Sequence, residues 1–327
     1  MKKISVIVPM YNEEENVKKF YNETQTVLQK IQDKYDYEMI FIDDGSKDKT
    51  LELLKEISKT DNKINIISFS RNFGKESGIH AGLAKSTGDI VVLLDGDLQH
   101  DPQLIPEMLK YIEEGYDTVT TIRNRKGESK IKSLLSRMFY VVMPKTDNVK
   151  LQQGAQDYRM MTRQVVDAIL EMDEYNRFSK GLFEWVGFKT KYIETNNRTR
   201  NAGTTKWNYS KLFHYAIEGI TSFSIKPLKI ATIIGAIISI ISLILAVQIV
   251  MQTLIEGKDV PGYASTITAV LFIGGIQLIT IGILSEYIGK IYLEIKHRPK
   301  YIIKENISGE NTKNNYCERN KNDEKDN

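Results

Sequence analysis

The stretch "DIVVLLDGDLQHDP", residues 89–102, runs from five consecutive apolar residues into three carboxylates and an amide between Asp95 and Asp101. A short, β-branched apolar run with polar residues at both ends reads as a strand buried on both faces. Such a strand ending in concentrated negative charge repels itself unless a cation or a proton intervenes. Working outward, the same unit recurs. "ISVIVP" (4–9) leads into "EEENVKKFYNETQTVLQKI" (13–31), "EMIFID" (38–43) into "KDKTLELLKEIS" (47–58), and "INIISFS" (64–70) into "KESGIHAGLAKS" (75–86). After the acidic stretch come "DPQLIPEMLKYIEEG" (101–115) and then "DTVTTI" (117–122). Strands alternating with helices predict an α/β domain built on a parallel sheet. Ligands of such sheets bind beyond the carboxyl ends of the strands. Residues 11–13, 43–46, 71–75, 95–99 and 123–126 are therefore expected to meet on one rim.

Asp95 and Asp97, with the amide of Gln99 beside them, are hard oxygen donors suited to Mg²⁺ or Mn²⁺. These ions are commonly held by one or two carboxylates and completed by substrate phosphates and water. Asp101, followed by Pro102, instead fits a helix N-cap. His80, His100 and His214 show no ligand spacing.

The chain has 327 residues, with 45 Lys and Arg against 42 Asp and Glu, so its charge gives no support to a nucleic-acid partner. Its single cysteine, Cys317, can form no internal disulfide. The opening "MKKISVIVPMYNEE" reads as a first strand rather than a signal peptide, because its apolar run is short and soon meets Pro9 and acidic residues.

Farther on, two runs, 228–255 and 264–284, each exceed the roughly 20 apolar residues needed to cross a bilayer core. The connector "EGKDVPGY" is too short for a domain, so the two spans predict a transmembrane hairpin over 226–290 with its outer ends on one side. Lys226, Lys229 and the basic segment after the second run place both termini in the cytoplasm by the positive-inside tendency. Residues 291–327 read as a basic juxtamembrane segment followed, from Glu305, by a polar tail with too little to bury to fold. The stretch 130–140, "KIKSLLSRMFY", interleaves basic and apolar residues and fits either a membrane-surface helix or a packing helix.

"VIVPMYNEE", "FIDDGSKDKT", "SRNFGKESGIHAGLAKSTGDIVVLLDGDLQHDP" and "QDYRMMTRQVV" resemble the ordered motifs of family 2 glycosyltransferases. "RNAGTTKW" and "EYIGKIYLEIKHRPKY" resemble its polyprenyl-phosphate branch, which includes bactoprenol glucosyltransferases and dolichyl-phosphate mannose synthase. The resemblance covers residues 2 to about 303. It implies a Rossmann-like GT-A nucleotide-diphospho-sugar transferase domain over 1–225 ahead of the hairpin. It further implies an inverting transfer of a hexose or N-acetylhexosamine, with glucose from UDP-glucose favoured, onto polyprenyl (undecaprenyl) phosphate at the plasma membrane. The product would be a lipid-linked sugar for the cell envelope, and a homo-oligomer is left open.

Carried onto this sequence, the resemblance puts Pro9, Tyr11, Glu13, Asp43, Asp95 and Lys206 around the nucleotide-sugar. It puts Arg123, Ser136 and Arg137 around the acceptor phosphate, with Lys132 one helical turn before Ser136. Asp157 matches the residue usually given as catalytic base and Asp97 the second catalytic carboxylate. A phosphate acceptor with a second pKa of about 6 is, however, already largely ionised at neutral pH, so Asp157 has little deprotonation to perform. A processive polysaccharide synthase is the competing enzyme reading, disfavoured because no Gln-x-x-Arg-Trp element occurs. A non-catalytic nucleotide-sugar-binding membrane scaffold is disfavoured by the intact Asp95, Asp97 and Asp157.

Overall fold

The computed structural model describes residues 1–123, 152, 154–195, 221, 224–256 and 262–309. Two compact units emerge. The first takes in residues 1–144, 148–208 and 299–327; the second takes in 145–147 and 209–298.

The first unit is a mixed sheet with helices on both faces. Strands β1 (Lys2–Met10), β2 (Tyr35–Asp43), β3 (Ile64–Phe69), β4 (Ile90–Leu93), β5 (Thr118–Arg123), β6 (Ala155–Thr162), β7 (Thr190–Thr195) and β8 (Ile303–Ser308) lie in the order β7-β5-β6-β4-β1-β2-β3-β8. Between them run α1 (Val17–Lys30), α2 (Thr50–Thr60), α3 (Lys75–Lys85), α4 (Ile105–Glu113), α5 (Arg163–Glu171) and α6 (Ser179–Trp185).

The central strands are buried on both sides, as their uninterrupted apolar runs require. Val6, Val8, Met39 and Phe41 face one core with Phe20 and Leu28 of α1 and Met108 of α4. Ile7, Ile40 and Ile42 face the other with Ile79 of α3 and Val166 of α5. The second contact is close because of glycine: a Cβ on Gly82 of α3 would lie 2.2 Å from Ile7 Cγ2.

The expectation of a parallel sheet holds for β3-β2-β1-β4 and fails beyond it. β6 inserts between β4 and β5 and runs antiparallel to both. That reversal places the start of β6, rather than its end, on the rim where β4 finishes.

At the opposite edge β8 pairs antiparallel with β3, Ile66 opposite Ile307 and Ser68 opposite Glu305. The tail was expected to be unstructured from Glu305, and through Ser308 it is a strand. Ile307 packs onto the core, Lys55 and Glu305 form a 2.5 Å ion pair, and the edge of β3 is covered. The first unit is thus discontinuous in sequence, resuming at residue 299 after the second.

In the second unit, α7 (Lys226–Glu256) and α8 (Tyr263–Ile295) are 31 and 33 residues long, enough for about 45 Å each against a bilayer core of about 30 Å. The apolar side chains point outward: Ile240, Leu243, Leu271 and Leu278 are 60–72% exposed, so the described residues of the chain do not bury them in a core of their own. The second helix was expected to end as an apolar run at Leu284, but it continues to Ile295, with Ile288, Ile291 and Ile295 extending its apolar surface. The Tyr287 hydroxyl donates to the Ser224 carbonyl at 2.5 Å, tying α8 to the residues just before α7.

Candidate active site

The rim expected at the carboxyl ends of the strands forms, and its loops are joined one to the next. After β1, the Asn12 N–H donates to the Ser46 hydroxyl at 3.0 Å, and its side-chain oxygen accepts from the Lys47 N–H at 2.8 Å. Asp43 is 1% exposed; its carboxylate accepts from the Ser46 N–H at 3.1 Å and from the Ser68 hydroxyl at 2.8 Å. Asp44 reaches the next loop, accepting from the N–H groups of Phe73 at 2.6 Å and Gly74 at 2.9 Å just before α3. Burial pushes its carboxyl up, against the pull of those two donors. Gly45, at φ +65°, lies so close to the β3–α3 loop that a Cβ would sit 2.4 Å from the Arg71 carbonyl carbon.

Pro9 lies opposite Ile42 one residue before the end of β1, with Tyr11 and Glu13 following on the same rim. Glu13 accepts from the Asn16 amide at 2.6 Å. Glu14 accepts from the Lys49 N–H at the start of α2, at 3.0 Å, rather than serving its own helix.

The centre of the rim follows from register. Leu93 of β4 is paired with Arg159 of β6, and the two strands run in opposite directions. Two residues beyond that pair, Asp95 therefore faces Asp157. Lys75, the first residue of α3, enters between them: its ammonium lies 2.7 Å and 2.9 Å from the two Asp95 oxygens and 2.5 Å from Asp157 Oδ2. Lys180 approaches Asp157 Oδ1 from α6 at 4.0 Å, and His100 Nε2 is 3.7 Å from Asp95 Oδ2.

Burial raises the carboxyls of Asp157 and Asp95, but the cations outweigh it. Lys75, then Lys180 and Arg159, hold Asp157 far below the usual carboxylate range, and Lys75 and His100 lower Asp95. Lys75 answers in kind, its ammonium held above its ordinary value by the two carboxylates against the effect of burial.

Neighbouring contacts fix these side chains. Glu76, beside Lys75, accepts from both the N–H and the hydroxyl of Ser179, beside Lys180, so α3 and α6 are locked together around Asp157. Beneath lies Arg159, 1% exposed, its guanidinium 3.6 Å from the Phe183 ring centroid and donating to the Gln156 carbonyl at 3.1 Å. Burial lowers its pKa to about 10, against the opposing pull of Asp157 and Glu184. Asp97 accepts from the Gln99 N–H at 3.1 Å, a tight turn in which Leu98 takes a positive φ of 59°. A buried leucine in that region signals stored backbone strain. Asp101 caps the following turn through the Gln103 N–H at 3.0 Å, as its sequence position predicts.

Asp95 and Asp97 suit a divalent cation. The ammonium of Lys75 already occupies a cation's seat against both Asp95 oxygens. Among the described residues no group of three or more His, Cys, Asp or Glu is placed to hold a metal ion.

Asp157, which was not among the residues expected on the rim, is brought to Asp95, and Arg123 ends β5 on the same rim. Lys132, Ser136, Arg137 and Lys206 lie outside the described residues. Glu76, Arg159 and Lys180 were missed. Lys75 fell within the expected rim without a role, and its signal was a lone lysine after the β3 turn glycine.

Residues 5–170 match Glycosyl transferase family 2, and residues 226–291 match the GtrB C-terminal hairpin. The chain belongs to glycosyltransferase family 2. Its mixed sheet is that of the GT-A glycosyltransferase fold. The glycosyltransferase is 47% identical over 302 residues to the protein named as glycosyltransferase CsbB of Bacillus subtilis (strain 168), covering 92% of this chain and 91% of that one. It is 42% identical over 303 residues to the bactoprenol glucosyl transferase of Shigella phage SfV, covering 92% of this chain and 98% of the relative. A solved structure, glucosyl-3-phosphoglycerate synthase from Mycobacterium tuberculosis with Mn²⁺, UDP-glucose and phosphoglyceric acid, is similar at 20% identity. It covers 67% of this chain and 78% of that one, with a TM-score of 0.45.

Proposed function

We propose that this glycosyltransferase moves glucose from UDP-glucose to the phosphate of a polyprenyl lipid, at the cytoplasmic face of the membrane that its hairpin spans. The observation that carries the reading is the end-to-end likeness, catalytic domain and hairpin together, to the phage bactoprenol glucosyl transferase.

In this reading the acceptor phosphate oxygen attacks the anomeric carbon from the face opposite the nucleotide. A carbon–oxygen bond forms there as the bond to the diphosphate breaks, UDP leaves with the electron pair, and the centre inverts. Asp95 and Asp97, with Gln99 beside them, would hold a Mg²⁺ or Mn²⁺ ion that offsets the charge on the leaving diphosphate. Pro9, Tyr11, Glu13 and Asp43 would line the nucleotide pocket. Lys206 would close over the donor, and Arg123, Lys132, Ser136 and Arg137 would receive the acceptor phosphate.

Asp157 acts by position. A carboxylate flanked by two lysines is a weak proton acceptor, and the phosphate it faces has little proton to give. Its fixed charge instead orients the acceptor and screens the cationic sugar carbon of the transition state.

Chain connectivity supports a two-span hairpin with both ends on the catalytic side. The chain leaves the first unit ahead of α7 and rejoins it within five residues of the end of α8, where Lys300 pairs with Asp173. The test is a panel of nucleotide sugars offered to the detergent-purified protein with undecaprenyl phosphate. Glucosyl-lipid from UDP-glucose is expected. Transfer only from another nucleotide sugar overturns the donor, and transfer to no lipid phosphate overturns the function.

A further inference from the structure

The ammonium of Lys75 straddles both oxygens of Asp95 while also meeting Asp157. Without it, these two carboxylates from neighbouring strand ends would face each other with only the more distant Lys180 and His100 beside them, so among the described residues Lys75 is the one cation in direct contact with both. The backbone beneath this lysine is fixed: Glu76 is held by Ser179, and the Ser77 hydroxyl donates to the Lys300 carbonyl at 3.0 Å. The lysine side chain is 42% exposed and ends a flexible four-carbon stem, so it can swing while its helix stays in place.

A divalent ion approaching Asp95 without nucleotide must displace that ammonium, and gains only the few protein oxygens in return. Arriving with a nucleoside diphosphate, it brings phosphate oxygens of its own, and the diphosphate also offers the displaced ammonium a new partner.

We propose that Lys75 is a positioning residue that occupies the cation seat at Asp95 until the nucleotide-sugar arrives, making divalent-ion binding conditional on nucleotide. The inference rests on the reading of Asp95 and Asp97 as the metal-holding pair, and it concerns what guards that pair. The consequence is an ordered site: without donor, Asp95 and Asp157 stay clamped across the β4–β6 junction. With donor, Lys75 keeps Asp157 and exchanges Asp95 for the leaving diphosphate.

The test measures Mn²⁺ binding by electron paramagnetic resonance on the full-length protein in detergent, with and without UDP. The parent should bind Mn²⁺ weakly alone and tightly with UDP. Lys75→Met should bind Mn²⁺ alone about tenfold or more tightly than the parent, because a like charge within a few ångströms of the ion has been removed. It should gain correspondingly less from UDP. Lys75→Arg, which keeps the charge, should stay near the parent. A lysine that merely propped up the fold would not tighten metal binding when removed.

Should Lys75→Met fail to fold, the charge-balanced pair decides: Asp157→Asn/Lys75→Met should bind Mn²⁺ more tightly than Asp157→Asn alone. Adding Asp95→Asn to Lys75→Met should abolish the gain. Tight Mn²⁺ binding with UDP but no tightening in either lysine comparison overturns the role of Lys75 alone. No Mn²⁺ binding to the parent even at saturating UDP overturns the metal reading and this inference with it.

Discussion

Asp157 shows how a neighbour can change a residue's chemistry. Alone at the start of a strand, a carboxylate is an adequate base. Here Lys75 and Lys180 flank it and Arg159 lies beneath, and its affinity for a proton collapses. If it nevertheless served as base, replacing it would matter less at higher pH, where the acceptor phosphate loses its last proton unaided. If it orients the acceptor, the defect should not change with the phosphate. For Asp157→Asn, turnover is expected to fall about a hundredfold or more and to stay depressed by a similar factor from about pH 6 to 8.5, a window bracketing the phosphate pKa. The pH profile of both proteins, with lipid saturating and metal fixed, reads this directly, and near-complete rescue at the alkaline end would restore the base. Asp95 and Asp97 are legible in the sequence because a strand ending in like charges needs an explanation. Lys75 and Arg159 are not, since one lysine after a turn and one arginine in an apolar strand look like surface charge. The β4–β6 register and the packing of the start of α3 together bring them to Asp157.

At the level of elements, the strand pattern predicts the central four strands because each is a short apolar run followed by a helix-like stretch. It does not predict where β6 inserts, since strand order and direction depend on long-range pairing that a local pattern does not encode. β8 was misread for a related reason. "IKENIS" has three consecutive polar residues between Ile303 and Ile307 and so lacks the alternation of a half-buried strand, and composition alone makes it resemble a tail. Its energetics can be tested. Ending the chain after Tyr301 would remove the β3 ladder, the burial of Ile307 and the Lys55–Glu305 pair, together about 2–4 kcal/mol. The catalytic unit is then expected to melt about 5–10 °C lower, as followed by thermal unfolding in detergent. An unchanged Tm would mean that β8 covers the edge without stabilising it. Gly45 offers a sharper local case: Gly45→Ala must place a methyl group against the Arg71 backbone from a left-handed conformation. Loss of UDP binding at least as large as the loss of stability is expected if, as proposed, the two loops brought together there line the nucleotide pocket; calorimetric titration with UDP beside the melting curve separates the two effects.

Across the whole molecule, the path of the chain constrains the membrane arrangement more tightly than its charge pattern does. The positive-inside tendency is statistical, whereas β8 pairs with β3 of the catalytic sheet and Tyr301 stacks on Phe69 at a ring separation of 4.9 Å. A chain that leaves this unit, passes through two long apolar helices and returns to it must cross the bilayer an even number of times. In the proposed two-span reading, the segment joining α7 to α8 is expected on the face opposite the active site. A cysteine introduced at Lys258, in a protein whose native Cys317 is changed to serine, is expected to react with a membrane-impermeant thiol reagent in intact cells. With the native cysteine retained and no other added, Cys317 should be labelled only after the membrane is opened. The reverse pattern would put UDP-sugar and active site on opposite sides of the bilayer. Labelling of neither in intact cells, with both labelled after opening, would mean that the hairpin lies on the cytoplasmic surface without crossing. That arrangement is opposed by apolar side chains exposed all round α7, because a surface-lying helix needs one polar face to remain in water.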